Sequence, residues 1–185
     1  MARASLRPYA RAAWHHLPVP TSVPLLPEIL PERAPEPLPS SMWQIWFDGC
    51  ALPNPGRIGL GALLLSPQGA RIELSSQAGR TGCSNEAELI ALCSALEHAG
   101  SLGARHICIR GDSDFVVRHL RGEQRTAIAP LLELVVRTEA LLTGFESVSL
   151  EWVPRHRNRD ADRLSRAALG LPDKPAPVPG RRRRR

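Results

Sequence analysis

The fold of this chain can be worked out from one apolar run that closes on an acid and a glycine, MWQIWFDG at residues 42–49. The aromatic and β-branched residues of 42–47 favour a strand, which we expect to end at Asp48-Gly49. Two more apolar stretches follow at 59–65 and 70–75, and only the turn-forming SPQG separates them. So short a connection predicts a hairpin. The domain should therefore open with an antiparallel meander.

Helices and strands alternate after this meander. Residues 84–99 are rich in Ala, Leu and Glu with apolar residues at helical spacing, which predicts a helix capped by Ser84 or Asn85. The rest of the sequence predicts a strand, two helices, a strand and a helix, at 106–110, 114–120, 127–142, 147–153 and 159–169. Because crossover connections make the later strands parallel, we expect an α/β fold, a mixed sheet with helices on its faces.

Proline marks the flanks of the folded part. Of the 18 prolines, nine lie in residues 1–40 and four in residues 172–185, a density that removes too many amide donors for helix or sheet. We expect a Pro-rich disordered arm (1–40), a folded domain (41–171) and a Pro/Arg-rich disordered tail (172–185). The start of the arm contains arginines and no acid, which also fits a transit peptide.

The net charge of +6 comes from the ends of the chain. Residues 41–171 carry as many acids as arginines, whereas residues 172–185 carry a net charge of +5, supplied mainly by the arginine run at 181–185. A basic chain normally suggests binding to nucleic acid, but here the basic excess describes the tail and not the domain.

The cysteine pattern and the hydropathy of the sequence indicate in which cellular compartment the protein works. The four cysteines show neither C-x-x-C spacing nor a disulfide-dense pattern, which argues against zinc and against secretion. We expect reduced thiols packed as small apolar groups. No apolar run approaches the roughly 18 residues of a membrane span. We therefore expect a cytoplasmic protein without a membrane partner, and a monomer.

Four acids occupy positions that need no charge for folding. Asp48 and Asp112 follow predicted strands, Glu88 lies in the first turns of a predicted helix, and Asp162 lies near the start of the last one. If they converge at one edge of the sheet, their repulsion requires bound cations. Oxygen ligands alone suit Mg²⁺ or Mn²⁺.

Simpler interpretations of these acids stay open. A strand-end aspartate is more often a turn former than a ligand. Glu86 and Glu88 both border the apolar stripe of their helix, so periodicity does not choose between them. Asp160 similarly rivals Asp162, since either one complements the helix N-terminal dipole.

Four blocks of sequence, in this order, resemble the type I ribonuclease H family in its compact bacterial and archaeal form. They are FDGCALPNPG at 47–56, SNEAEL at 84–89, GDSD at 111–114, and WVP at 152–154 followed by NRDADRL at 158–164. The resemblance covers about residues 43–169. It implies a five-stranded mixed sheet, three antiparallel strands and then parallel ones, with helices on both faces.

The resemblance also implies an activity, namely endonucleolytic hydrolysis of the RNA strand of RNA–DNA hybrids to leave 5′-phosphates. Two Mg²⁺ ions about 4 Å apart, or Mn²⁺ in their place, would flank the scissile phosphate. Asp48 would bridge the ions, with Glu88 and Asp112 on one and Asp162 on the other. This choice selects Glu88 over its neighbouring acid, and Glu88 would also contact a 2′-hydroxyl, the group that distinguishes RNA from DNA.

Further positions follow from the same resemblance. Substrate contacts would fall on Gly49, Asn54, Ser84 and Asn85, although Asn54 suits a turn and Asn85 a helix cap equally well. His156 would be a catalytic histidine that helps product release. It stands closer to Asp162 than is usual in the family, so simple contact with phosphate or solvent is the alternative.

Two other functions share this fold. A non-catalytic nucleic-acid-binding module would be favoured if one of the four acids were missing, and other nucleases of the wider superfamily use the same architecture. The basic, tryptophan-bearing protrusion of some family members is missing between residues 114 and 127. The arginine run at 181–185 is a candidate substitute that would tether the enzyme to the nucleic-acid backbone.

Overall fold

The computed structural model describes residues 42–174. The predicted Pro-rich arm and its alternative, a transit peptide, lie outside this range, as does the tail from residue 175 onward. The described part contains, in order, β1 (Trp43–Leu52), β2 (Gly56–Leu65), β3 (Arg71–Gly82), α1 (Ser84–Ser101), β4 (His106–Gly111), α2 (Asp114–Leu120), α3 (Ala129–Leu142), β5 (Ser147–Trp152), a 3₁₀ turn (Arg155–Arg157) and α4 (Arg159–Ala167).

The strands form one mixed sheet in the order β3-β2-β1-β4-β5. The first three strands are antiparallel because short turns join them, whereas β1, β4 and β5 are parallel. The parallel pairs are reached through helical connections, which have the length that such a crossover needs. The predicted five-stranded mixed sheet is confirmed.

Apolar residues of β1 fix one face of the sheet. Ile45 and Phe47 are fully buried and pack with Leu89, Leu92 and Leu96 of α1. On the other face α4 packs across β2 and β1. Helices therefore cover both faces, as expected, and the main core lies between the sheet and α1, with α3 packed behind it.

β1 continues past Asp48-Gly49, so the predicted strand end there was wrong. The ladder to β2 runs on to the pair Leu52–Arg57. Gly49 serves close packing and not a turn, since a Cβ atom at this position would lie 2.1 Å from the carbonyl carbon of Ala87 in α1. The sequence pattern predicted a strand end at Gly49, but the glycine is there because the backbone of α1 packs directly against it.

The region between β3 and α1 also departs from the prediction. β3 extends to Gly82 because it is an edge strand with one solvated side, where a polar sequence is tolerated. The N-cap of α1 is Cys83, whose backbone N–H donates to the Glu86 carboxylate at 2.8 Å. Ser84 and Asn85 are the first residues of the helix, so the expectation that one of them caps it was wrong.

The cysteines behave as predicted. All four are free thiols, with Cys93 and Cys108 buried and Cys50 and Cys83 partly buried. Among residues 42–174, no helix combines the length and the apolar character that crossing a membrane requires.

Candidate active site

Asp48 is a buried residue of β1 that lies beside β2 and beneath α4. It is 3% exposed and lies opposite Gly61 in the β1–β2 ladder. A Cβ atom at Gly61 would be 2.3 Å from both the Ala161 carbonyl oxygen and the Ser165 nitrogen of α4. The missing side chain thus lets α4 lie against the sheet, where the Ser165 hydroxyl donates to Oδ2 of Asp48. Sequence reasoning missed Ser165, because its distance of 117 residues from Asp48 leaves no local signal.

Glu88 reaches the same place from the opposite face. Successive residues of a strand point to opposite faces, so Gly49 faces α1 where Asp48 faces α4. The Gly49 N–H donates to Oε2 of Glu88 at 3.3 Å. Glu86 is turned away and pairs with Arg80 and the N-cap amide. The structure therefore brings Glu88, and not its neighbouring acid, towards Asp48.

Asp112 follows β4 directly, as predicted. Because β4 pairs in parallel with β1, its end lies beside the middle of that strand. The Asn158 amide nitrogen donates to Oδ1 of Asp112 at 2.6 Å and to the Phe47 carbonyl at 2.8 Å. Asn158 is 1% exposed and ties the start of α4 to both strands. It opens the NRDADRL block, a signal that could have marked it as a site residue.

Asp162 lies in the first turn of α4, and one of its carboxylate oxygens contacts two basic side chains. Oδ1 is 3.2 Å from Nη2 of Arg155 and also contacts the Lys174 ammonium. The Arg155 guanidinium reaches Asp112 as well, at 4.0 Å. Asp160 instead points outward and pairs with Arg71 at 3.2 Å. The sequence did not indicate either cation partner of Asp162.

These contacts link Asp48, Asp112 and Asp162, and the Gly49 N–H holds Glu88 beside Asp48; we refer to these four acids as the carboxylate set. Ser165 touches Asp48 and the Asp162 carbonyl, and Arg155 spans Asp162 and Asp112. As arranged, no three histidine, cysteine or acidic side chains within residues 42–174 are positioned to hold a metal ion. In this arrangement Asp48, Asp112 and Asp162 each give one carboxylate oxygen to a protein hydrogen-bond or ion-pair partner.

Burial perturbs two of the acids strongly. Desolvation raises the pKa of Asp48 to about 7; the Ser165 hydroxyl opposes the shift, and the carboxylates of Asp112 and Asp162 add to it. Burial also raises the pKa of Glu88 well above its usual range, with repulsion from Asp48 and Asp112. Ionising all of these groups together requires additional positive charge. The donor atoms are all hard oxygens, which fit Mg²⁺ or Mn²⁺.

Three of the predicted substrate positions, Asn54, Ser84 and Asn85, lie where the β1–β2 turn meets the start of α1, whereas Gly49 lies further back in β1. Gly49 is buried under α1, and Asn54 is exposed in the turn. The Asn54 side-chain oxygen accepts the backbone N–H of Ser84 at 3.1 Å, which ties the turn to the start of α1. Asn85 is half-buried on the same turn of that helix. Their role toward a substrate stays a prediction.

His156 lies in the middle of the 3₁₀ turn and is exposed. It lines a groove of about 560 Å³ next to Asp162. The groove is basic on balance and is lined by Arg155, His156, Arg159, Asp160, Asp162, Arg163, Asp173 and Lys174. The histidine thus borders the carboxylate set without contacting it through a hydrogen bond in the described structure.

Comparison with known proteins places the chain in a family. The family described as "Reverse transcriptase-like" matches residues 46–168. Ribonuclease HI of Halobacterium salinarum is 38% identical over 124 residues, which are 67% of this chain and 62% of that protein. The chain belongs to the type I ribonuclease H family. A bifunctional protein of Mycobacterium tuberculosis is 36% identical over 123 residues, 66% of this chain and 34% of that one.

Solved structures extend this result to the fold. Ribonuclease H1 from Halobacterium salinarum superposes with a TM-score of 0.67 at 38% identity, covering 70% of this chain and 98% of the other. LC11-RNase H1, solved in complex with an RNA/DNA hybrid, gives 0.64 at 27% identity, covering 69% and 96%. The predicted family and fold are confirmed, and membership implies dependence on a divalent metal. The chain spans less than two thirds of the length of the curated relatives that it matches.

Proposed function

We propose that this chain is a metal-dependent endonuclease that hydrolyses the RNA strand of RNA–DNA hybrids. The observation that carries the proposal is that Asp48, Asp112 and Asp162 are linked through shared partners, with Glu88 hydrogen-bonded to the residue next to Asp48. The 38% identity to a ribonuclease HI supports it, as does the likeness to a ribonuclease H1 that was solved with an RNA/DNA hybrid.

The carboxylates of Asp48, Glu88, Asp112 and Asp162 would hold the metal, with Mg²⁺ or Mn²⁺ as the ions that their oxygens suit. Two such ions, when bound, would activate a water for in-line attack and stabilise the leaving 3′-oxygen. Asp48 is the member best placed to serve both, since it is flanked by α1 on one side and by α4 on the other.

The surrounding residues orient these ligands. Ser165 holds Oδ2 of Asp48, and Asn158 holds Oδ1 of Asp112. Each of these donors fixes one carboxylate oxygen and restricts rotation of the other, which keeps the ligands in place at little cost in entropy during catalysis. Arg155 and Lys174 balance the charge of Asp162, a role that a bound divalent cation would take.

The substrate contacts would come from β1 and from the place where the β1–β2 turn meets α1. Gly49, Asn54, Ser84 and Asn85 would contact the hybrid, and Glu88 would recognise a 2′-hydroxyl. His156 would help release the product from the groove beside Asp162, where neighbouring arginines attract phosphate.

Cleavage of three labelled duplexes tests this function. RNA–DNA hybrid, double-stranded RNA and DNA duplex are each incubated with Mg²⁺, with Mn²⁺ or with chelator. The variants are Asp48→Asn and, as a matched control, Asp160→Asn, which changes an exposed acid in the same first turn of α4 as Asp162. We expect cutting of the RNA strand of the hybrid that needs metal, disappears in D48N and persists in D160N.

Three other results would each contradict the proposal. Binding of the hybrid without cleavage would indicate a non-catalytic module. Preferential cutting of the DNA duplex would indicate another nuclease of the superfamily. Hybrid cleavage at the wild-type rate by D48N would show that the carboxylate set is not the active site.

The cytoplasmic location and the monomeric state stay predictions. The free thiols of the four cysteines accord with a reducing compartment.

A further inference from the structure

The chain folds back on itself after α4. Gly170 adopts a left-handed conformation with φ of 72°, and the Leu171 N–H donates to the Arg166 carbonyl at 3.1 Å. The Arg166 guanidinium in turn donates to the Pro172 carbonyl through Nε at 3.1 Å and Nη2 at 2.8 Å. Residues 171–174, here named the C-terminal strap, therefore run back beside α4 towards its first turn.

The strap delivers an ammonium group to the candidate active site. Lys174 contacts Oδ1 of Asp162, twelve residues earlier in the chain, and this is the oxygen that Arg155 also contacts. Lys174 is the only lysine in the whole sequence. The Asp162 side chain is 12% exposed and that of Lys174 is 43% exposed, so the pair forms the outer wall of the carboxylate set.

We propose that the C-terminal strap is a built-in competitor for divalent metal, with Lys174 occupying the oxygen of Asp162 that a metal ion would take. The inference rests on the proposed function, since it treats Asp162 as a metal ligand. An ammonium in direct contact with a carboxylate oxygen and a divalent ion on that same oxygen repel one another strongly at such separations. Lys174 must therefore leave Asp162 when metal binds.

The size of the effect follows from the exposure of the pair. Lys174 is well exposed although Asp162 is buried, and an ion pair with one solvated partner contributes little to stability. Removal of Lys174 should accordingly lower the Kd for metal by about two- to fivefold, and not by orders of magnitude. The gain should shrink in high salt, because screening weakens the ion pair that is being removed.

Calorimetric titration of the full chain with Mn²⁺, without nucleic acid, measures this competition. Lys174→Gln removes the ammonium, and Arg166→Gln releases the strap without touching Asp162. Arg105→Gln is the matched control, because it also removes one exposed positive charge but precedes β4, at the opposite end of the strand from Asp112. We expect tighter Mn²⁺ binding in K174Q and in R166Q, and the wild-type Kd in R105Q.

A wild-type Kd for Mn²⁺ in K174Q would overturn the inference. Asp48→Asn separates this failure from failure of the proposed function. If D48N abolishes Mn²⁺ binding while K174Q leaves the Kd unchanged, the strap is an ordinary surface contact and the metal site stands. If the isotherm of D48N equals that of the wild type, Mn²⁺ binds elsewhere, and both the metal site and the competition are refuted.

Discussion

Asp48 lies directly opposite Gly61 across the β1–β2 ladder, and the bare backbone at Gly61 is what admits α4 to the site. A second glycine, Gly49, does the same for α1 on the other face. The carboxylates of the two helices meet the aspartates of the strands because helix backbone rests on strand backbone at these two points. The glycines of β1 and β2 are thus as much a part of the site as its acids.

Substitution of Gly61 by alanine should damage both stability and activity. Its Cβ would lie 2.3 Å from backbone atoms of α4, which cannot yield without moving the helix that carries Asp162. We expect a loss of about 2–3 kcal/mol of unfolding free energy, measured by urea denaturation. Gly100→Ala is the control, because nothing lies within 4 Å of its Cβ and its site is helical, so it should be neutral or slightly stabilising. Equal effects of the two substitutions would contradict the packing argument.

The stability of the metal-free protein should fall as pH rises from about 4 to 7. Asp48 has a folded-state pKa of about 7 against 3.8 for the free group, so between these values the folded state retains a proton that the unfolded state has released. Stability is then highest below the unfolded pKa and is lost as pH rises through the folded one. At about 1.4 kcal/mol per pKa unit, the loss from Asp48 is at most about 4 kcal/mol.

Urea denaturation at pH 5 and pH 7.5, in chelator and in Mg²⁺, measures this dependence. In chelator, Asp48→Asn should reduce the pH dependence of the unfolding free energy. In the wild-type protein, Mg²⁺ should offset the loss of unfolding free energy at pH 7.5, because it pairs with the ionised carboxylates. If the metal-free wild type is more stable at pH 7.5 than at pH 5, burial does not raise the pKa of these carboxylates in the folded state.

Features of the fold that depend on neighbouring residues could be predicted from the sequence, whereas contacts between residues far apart in the chain could not. The apolar run of β1 and the helical periodicity of residues 84–99 are local patterns, and they predicted the mixed sheet correctly. The Asp48-Gly49 pair misled because a glycine required for contact with a helix 39 residues away looks the same in sequence as one required for a turn. Distant packing was therefore visible only in the structure.

The residues of the candidate site also fall into two groups, those that the sequence predicted and those that it did not. The resemblance selected Glu88 and Asp162, and the structure shows their neighbours in other ion pairs, Glu86 with Arg80 and Asp160 with Arg71. Ser165 and Lys174 escaped notice, since a serine in a helix and a lysine in a proline-rich tail carry no signal until the fold places them against Asp48 and Asp162.

Asn158 should be needed for the orientation of Asp112. Asn158→Ala leaves the Phe47 carbonyl and the Asp112 carboxylate without their buried donor, which should cost about 3 kcal/mol of unfolding free energy. Hybrid cleavage should show a reduced kcat with little change in KM, because a ligand is disordered and the substrate contacts are not. Asn85→Ala, at a half-buried position in the first turn of α1, should cost much less, about 0.5 kcal/mol or below. Equal stability of the two variants would contradict the role of Asn158.

The arginine run at 181–185 should set the salt dependence of hybrid binding. The domain itself (41–171) is neutral, so replacement of the five tail arginines by glutamine should flatten the slope of log K against log salt, by about 0.9 for each phosphate that an arginine had neutralised. The variant keeps Lys174, so its Mn²⁺ affinity and its kcat should match the wild type. Filter binding at several salt concentrations measures the slope, and an unchanged slope would show that the run does not bind phosphates.

The most direct measurement is anomalous diffraction from crystals of the full chain grown with Mn²⁺ and a hybrid, since it locates the ions themselves. We expect manganese peaks at bonding distance from the Asp48 carboxylate, shared with Glu88 and Asp112 on one side and with Asp162 on the other, and Lys174 displaced from Asp162. Well-ordered hybrid with manganese bound away from all four carboxylates would contradict the account.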